Sequence, residues 1–163
     1  MTVTVTLVVG ADGSTSKNGN SSGVSSAADR TEFLARRRLA DCILIGGKTA
    51  RSEPYHRTPV PVVVLSRSLI NPLADNRLAH CWNLSPEKAI KRAQKTFGPN
   101  IHVEAGIAII KELLGADLVD VLELSITDVV GGEDRIDLEQ LLSQFLIKQE
   151  RTFAGTRFIS AHK

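Results

Sequence analysis

The chain has 163 residues, of which 42% are hydrophobic and 23% are charged, a composition typical of one globular domain with its own core. Its formal charge of +2 and its few aromatic residues argue against a nucleic-acid-binding surface. No apolar run approaches the roughly 20 residues of a transmembrane helix, and the start does not resemble a signal peptide, so we expect a cytoplasmic protein without membrane contact.

The first half of the chain predicts strands that alternate with helices. Residues 2–9 alternate threonine with valine and predict a strand, and the polar segment 11–26 predicts a long loop that is either mobile or functional. Ser26 then caps a helix expected to bury Ala28, Leu34, Ala35 and Leu39, while Arg36-Arg37-Arg38 forms a solvated face. The next predicted elements are a strand at 42–45, a helical turn at 48–52, a loop at 53–59 and an interior strand at 60–65.

The second half continues this alternation and closes with a hairpin. Ser85-Pro86 begins a helix that Gly98-Pro99 ends, and Gly106 opens another with Ile107, Ile110 and Leu114 facing inward. Strands are predicted at 101–104 and 118–127, residues 137–145 remain open between helix and loop, and residues 146–153 and 156–161 form a hairpin around Ala154-Gly155. This order predicts a mostly parallel sheet with an antiparallel edge.

Three predicted strand ends share glycine or hydroxyl residues. They are Gly46-Gly47-Lys48-Thr49, Ser66-Arg67-Ser68 and Ala105-Gly106. Ligands of such sheets bind at the carboxyl ends of the strands. If the three turns meet, they make a site for an extended phosphate-bearing cofactor, although neither standard nucleotide motif is present.

Metal and disulfide chemistry have no support in the sequence. Cys42 and Cys81 are solitary, and Cys42 lies in an apolar run that predicts a buried core residue. His102-Val103-Glu104 matches the H-x-E of zinc deaminases, but no P-C-x-x-C follows, so we expect no metal.

The order of these motifs resembles the reductase domain of bacterial riboflavin biosynthesis and, more distantly, dihydrofolate reductase. The matching segments are Gly10-Ala11-Asp12-Gly13, Ser25 with Asp29-x-x-x-Phe33, residues 40–49, Pro54-Tyr55-His56-Arg57, residues 64–68, Val103-Glu104-Ala105-Gly106 and residues 118–122 leading to Gly131-Gly132. The resemblance implies one α/β domain over residues 1–163. Its expected architecture is the three-layer dihydrofolate reductase-like fold, with a mostly parallel central sheet and an antiparallel C-terminal edge hairpin.

The resemblance also implies NADPH as cofactor and a set of site residues. The cofactor-binding positions are Ala11, Gly46, Gly47, Lys48, Thr49, Ser66, Arg67, Ala105, Gly106 and Ile107. Asp12 is implied beside the nicotinamide and Arg57 near a substrate phosphate, and Asp29 and Glu104 are the candidate catalytic acids. Three of these residues also have a purely structural interpretation: Asp29 as a helix first-turn carboxylate, Glu104 as a strand-end surface acid and Arg57 as a solvated loop residue.

The implied function is NADPH-dependent reduction of a pyrimidine, 5-amino-6-(5-phosphoribosylamino)uracil-like, or of a pterin-like substrate, in riboflavin biosynthesis or a related pathway. The resemblance further implies a homodimer, for which the apolar run Leu118 to Leu124 offers an interface. A non-catalytic nucleotide-binding or regulatory relative is the alternative. It is favoured by Ala105, which replaces a family glycine, and by the short segment between Ser68 and Ile101.

Overall fold

The computed structural model describes residues 1–163 and contains one eight-stranded sheet and five α-helices. The strands are β1 (Thr2–Val9), β2 (Cys42–Gly46), β3 (Val62–Leu65), β4 (Ala79–Trp82), β5 (Asn100–Val103), β6 (Val121–Ile126), β7 (Leu146–Phe153) and β8 (Thr156–His162). The helices are α1 (Ala27–Arg37), α2 (Gly47–Ser52), α3 (Pro86–Thr96), α4 (Ile107–Gly115) and α5 (Leu138–Leu142). None of the helices combines the length and apolar character that crossing a membrane requires.

The strand order is β4-β3-β2-β5-β1-β6-β8-β7. Strand β5 lies between β1 and β2, and these pairings are parallel, as are those of β2 with β3 and of β3 with β4. Strand β8 pairs antiparallel with both β6 and β7. The predicted dihydrofolate reductase-like α/β fold, with its antiparallel C-terminal edge, is confirmed.

The closing hairpin turns at the predicted dipeptide. Ala154 and Gly155 both have positive φ, 49° and 78°, and connect β7 directly to β8. Two successive residues of positive φ suit the right-handed twist of a two-residue hairpin loop. The local sequence therefore determines both the position and the register of this turn.

The chain's contacts divide into two compact units, which are described separately. The first comprises Met1–Val5 and Arg36–Val119, and the second Thr6–Ala35 and Asp120–Lys163. The expectation of one domain over residues 1–163 stays a prediction. In the first unit, Ile43, Ile45, Val62 and Val64 are fully buried and form one core cluster with Tyr55, Ala50 and Leu73. Cys42 is also fully buried, as predicted.

The second unit has its core on β6 and β8. Leu122, Leu124 and Ile159 are each only 1% exposed. Leu122 and Leu124, in the apolar run that was expected to offer a dimer interface, are therefore buried within the chain, because an interior strand has neighbours on both sides and buries its apolar side chains. Three of the large exposed apolar residues of this unit, Leu146, Ile147 and Phe153, lie instead on β7.

Helix α1 does not bury the predicted face. Leu39, just beyond the helix, is 81% exposed and Ala35 is exposed, whereas Asp29 and Arg37 are each 6% exposed. The prediction was wrong because it counted only apolar residues. A buried carboxylate or guanidinium is tolerated where hydrogen bonds satisfy it, and both residues have such partners.

Three smaller differences concern other elements. Strand β4 was not predicted, because Ala79-His80-Cys81-Trp82 lacks a strong apolar pattern and gains its place only by pairing with β3. In α4 the core residues are Ile110 and Leu113 rather than Leu114. The open segment 137–145 contains the short helix α5, which is capped by Asp137, whose carboxylate accepts from Gln140 N.

Candidate active site

The three predicted turns follow neighbouring parallel strands. The strands β3, β2 and β5 are adjacent in this order, with Gly46 opposite Leu65 and Leu44 opposite Val103. Parallel neighbours end at the same edge of a sheet. The structure therefore brings the turns that contain Thr49, Arg67 and Gly106 to one edge of the first unit.

The turn after β2 packs closely against the turn after β3. Gly46 is extended and precedes α2 without a side-chain cap. A methyl group built on Gly47 would lie 3.3 Å from Ser66 Oγ, which leaves little space between the two turns. Lys48 and Arg67 are exposed at this edge, so their charges are accessible to a ligand.

The turn after β5 leaves open space in front of α4. Gly106 is extended, no side chain caps the helix, and a methyl group built on Gly106 would meet no atom within 4 Å. Uncapped N–H groups at a helix start favour anions such as a phosphate. Ala105, which replaces the family glycine, is only 7% exposed.

Glu104, at the end of β5, is part of a buried polar cluster. Its Oε2 accepts hydrogen bonds from Arg37 Nη2 and from the Tyr55 hydroxyl, each at 2.6 Å, and its Oε1 accepts from Arg37 Nε at 3.3 Å. The side chains of Arg37 and Glu104 are 8% and 2% exposed. The structure places this predicted catalytic acid among partners of the protein itself, and the catalytic role remains a prediction.

The partners of Glu104 have perturbed ionisation. Burial lowers the pKa of Arg37, but the hydrogen bonds and charge of Glu104 outweigh it and raise that pKa above its ordinary value. Burial and the charge of Glu104 raise the pKa of Tyr55 well above its ordinary value, so the hydroxyl keeps its proton and donates it to the carboxylate in a hydrogen bond. Arg37 and Tyr55 were missed at the sequence level. The prediction that Arg37 belongs to a solvated face with Arg36 and Arg38 was wrong, since Arg37 is buried, and no local pattern distinguished it from its neighbours.

His102 lies on the same face of β5 as Glu104. Its Nδ1 is 3.4 Å from Glu104 Oε1, yet neither ring nitrogen has a hydrogen-bond partner. Burial lowers the pKa of His102 to about 4, Glu104 opposes this effect, and Arg36 and Arg37 add to it. The imidazole is therefore neutral at physiological pH.

In the second unit, Asp29 lies in the first turn of α1. Its backbone N–H donates to Ser26 Oγ, which confirms the predicted cap. Its carboxylate accepts a hydrogen bond from Ser25 Oγ at 2.6 Å and has no ion pair. Asp29 is 6% exposed, and its predicted catalytic role stays a prediction.

Asp12 connects two loops of the second unit. Its carboxylate accepts from Ser14 Oγ at 2.5 Å and from Gly131 N at 2.8 Å, and Arg135 lies 3.1 Å away. These hydrogen bonds, with Ser14 as the largest cause, lower the pKa of Asp12 to about 2. The Ala11 N–H donates to the Val129 carbonyl in the same pair of loops. The first residues of the long polar loop are thus held in place by the hydrogen bonds of Asp12 and by the backbone hydrogen bond from Ala11 to Val129.

Arg57 is exposed in the loop after α2. The fold places it in the first unit, two residues beyond Tyr55. Its predicted contact with a substrate phosphate stays a prediction.

Comparison with known proteins agrees with this architecture. The sequence matches the family described as the RibD C-terminal domain over residues 1–156. A Shewanella protein provisionally assigned to riboflavin biosynthesis is 19% identical, with a TM-score of 0.78 and coverage of 99% of this chain and 98% of that chain. A pyrimidine reductase-like protein of Corynebacterium diphtheriae is 16% identical, with a TM-score of 0.75 and coverage of 99% and 91%.

A third structure is longer. The diaminohydroxyphosphoribosylaminopyrimidine deaminase/5-amino-6-(5-phosphoribosylamino)uracil reductase of Thermotoga maritima is 14% identical, with a TM-score of 0.74. The match covers 99% of this chain but only 56% of that protein, so this chain spans about half of its length. At these identities the structural likeness shows the fold. No curated protein matches the chain.

Proposed function

The chain belongs to the RibD C-terminal domain family, a reductase-type domain of riboflavin biosynthesis, and from this premise we propose that it is an NADPH-dependent reductase. The proposed substrate is a pyrimidine that resembles 5-amino-6-(5-phosphoribosylamino)uracil, with a pterin-like compound as the alternative. The observation that carries the proposal is the row of turns after β3, β2 and β5 along one sheet edge. Their glycines, hydroxyls and cations fit a dinucleotide.

The residues present fit NADPH because the space and the charges both suit its phosphates. Arg67 and Ser66 would hold the adenosine-side phosphate, since a guanidinium binds phosphate oxygens in pairs. Gly106, Ile107 and the start of α4 would hold the pyrophosphate in the open space described above. Lys48 and Thr49 would add a charge and a hydroxyl. When bound, NADPH supplies the hydride.

Reduction of a carbonyl or imine also needs a proton. We assign its delivery to Asp29, whose buried carboxylate contacts Ser25 and forms no ion pair. A buried acid near neutral hydrogen-bond donors is suited to general acid catalysis. NADPH is an intracellular reductant, so a cytoplasmic location follows from the proposal.

We further propose that the chain forms a homodimer through β7. This strand is at the edge of the sheet, every one of its residues is exposed, and Leu146, Ile147 and Phe153 are apolar. An edge strand of this kind is a template for pairing with another chain. Antiparallel pairing of two β7 strands about Gln149 places Lys148 of each opposite Glu150 of the other. A monomer by light scattering, for both the native chain and Ile147→Lys, would contradict the dimer.

The reductase proposal is tested by titration with NADPH. Binding is followed by the thermal midpoint and by quenching of Trp82, the only tryptophan. Turnover is followed by the loss of NADPH absorbance with the pyrimidine or a dihydropterin as substrate. We expect Arg67→Ala to weaken NADPH binding more than NADH binding, and Arg38→Ala to affect neither. If the protein binds neither NADPH nor NADH, the proposal is refuted.

The second candidate, a non-catalytic nucleotide-binding relative, is favoured by one observation. Both oxygens of Glu104 are already occupied by Arg37 and Tyr55. Such a protein would bind NADPH and would never oxidise it with any substrate.

A further inference from the structure

We propose that Arg37 and Tyr55 are positioning residues, which hold Glu104 as an internal anchor of the Ala105-Gly106 turn, and that Glu104 is not the proton donor. The inference rests on the proposed function, because it concerns the turn assigned to the cofactor pyrophosphate. It reverses the role that the resemblance implied for Glu104.

The contacts of Glu104 leave no free surface for a substrate. Tyr55 and Arg37 Nη2 share Oε2, Arg37 Nε contacts Oε1, and His102 lies against the same oxygen. The Glu104 side chain is 2% exposed. A general acid must reach the reacting atom within hydrogen-bond distance, directly or through one water molecule.

The chemistry of the partners also opposes proton donation. The Arg37 guanidinium donates two hydrogen bonds to the Glu104 carboxylate, and the Tyr55 hydroxyl donates a third. Both oxygens of Glu104 are therefore already engaged as hydrogen-bond acceptors.

The three side chains join three separate segments of the first unit. Arg37 ends α1, Tyr55 lies in the loop after α2, and Glu104 follows β5. The Glu104 N–H donates to the Leu44 carbonyl at 2.9 Å, so its backbone is the last part of the ladder between β5 and β2. The next residue, Ala105, begins the turn. A displacement of the Glu104 carboxylate should therefore first move the backbone at the proposed pyrophosphate site.

The test compares Tyr55→Phe, Glu104→Gln and the double variant Arg37→Met/Glu104→Gln with Arg38→Met, which removes a neighbouring exposed cation. Tyr55→Phe deletes one oxygen atom and is the variant expected to fold. We expect it and Glu104→Gln to raise the Kd for NADPH about tenfold through displacement of the turn. The pH profile of kcat should keep its shape, and Arg38→Met should leave both quantities unchanged.

Two results would overturn the inference. One is loss of turnover in Glu104→Gln with an unchanged Kd for NADPH, as expected of a proton donor. The other is loss of a limb of the kcat profile in that variant. The double variant, in which no buried charge is left unpaired, guards against a result that reflects unfolding.

Hydrogen exchange separates this inference from the proposed function. In the absence of any cofactor, the Glu104 amide, which donates to the Leu44 carbonyl, should exchange faster in Tyr55→Phe than in the native chain. Equal exchange rates would refute the anchor, even if NADPH binds. Failure of the native chain to bind NADPH, with the exchange difference present, would refute the cofactor assignment and leave the anchor supported.

Discussion

Arg37 and Glu104 are 67 positions apart in the sequence and form a buried ion pair, with 2.6 Å between Nη2 and Oε2. Such a pair adds little net stability compared with an apolar replacement, because both charges lose their hydration. Removal of one partner is different, since it leaves the other charge buried alone.

We therefore expect Arg37→Met to destabilise the protein by about 3–5 kcal/mol. Arg38→Met, at an exposed neighbouring position, should change the free energy of unfolding by less than about 0.5 kcal/mol. Urea denaturation of both variants measures the difference. Equal stability of the two would show that the pair does not form.

His102 makes the stability depend on pH. Burial lowers its pKa from 6.5 to about 4, against the attraction of Glu104 and together with the repulsion of Arg36 and Arg37. The unfolded chain therefore protonates His102 at a higher pH than the folded chain does. The free energy of unfolding falls as the pH decreases from about 6.5 to about 4. A shift of this size corresponds to about 3 kcal/mol. His102→Leu should remove this dependence in urea titrations between pH 7 and 4, whereas His80→Leu, at an exposed position, should retain it.

Asp12 acts in a lower pH range. Its pKa is lowered from 3.8 to about 2, first by the hydrogen bond from Ser14 and then by the one from Gly131. The folded state thus keeps the carboxylate charged where the unfolded chain protonates it, and the contribution is lost as the pH falls from about 4 to 2. We expect Asp12→Asn to flatten the pH dependence of the thermal midpoint in that range. An unchanged slope would contradict the loop contacts.

Gly13 cannot accept a side chain. Its φ is +84°, and an added methyl group would collide with the Ile136 carbonyl oxygen. Gly13→Ala should cost about 1–3 kcal/mol from backbone strain alone. Gly115→Ala is the control, because its surroundings are open and its φ is not positive. Thermal or urea unfolding should show a loss of stability for Gly13→Ala and none for Gly115→Ala.

Ala105→Gly tests whether the missing family glycine matters. Ala105 is 7% exposed, and the open space of the proposed pyrophosphate site lies at the next residue, Gly106, where an added methyl group meets no atom within 4 Å. We expect no tighter NADPH binding and a loss of about 0.4–1 kcal/mol of stability, since glycine loses more backbone freedom on folding. A marked gain in NADPH affinity would show that the methyl group displaces the turn.

The local sequence predicted the elements whose signals are contained in a few residues. Ser85-Pro86 begins α3, with the Ser85 hydroxyl accepting from Lys88 N, and Ala154-Gly155 forms the hairpin turn. The end of β3 at Leu65 was predicted, and the end of β2 at Gly46 was predicted to within one residue, because an apolar run that stops at glycine or serine marks where a buried strand leaves the sheet.

The sequence by itself determined most of the strands and helices and the three turns that carry glycine, hydroxyl or basic residues, whereas the order of the strands within the sheet, which places these turns side by side, comes from the tertiary structure. The sequence did not reveal β4, which depends on pairing with β3, or the buried side of α1. Only the tertiary structure decided that Arg37 is buried while Arg38 is exposed, and that Glu104 contacts Arg37 and Tyr55. Burial of a charge depends on a partner that the fold brings from far along the chain, and no local pattern contains that information.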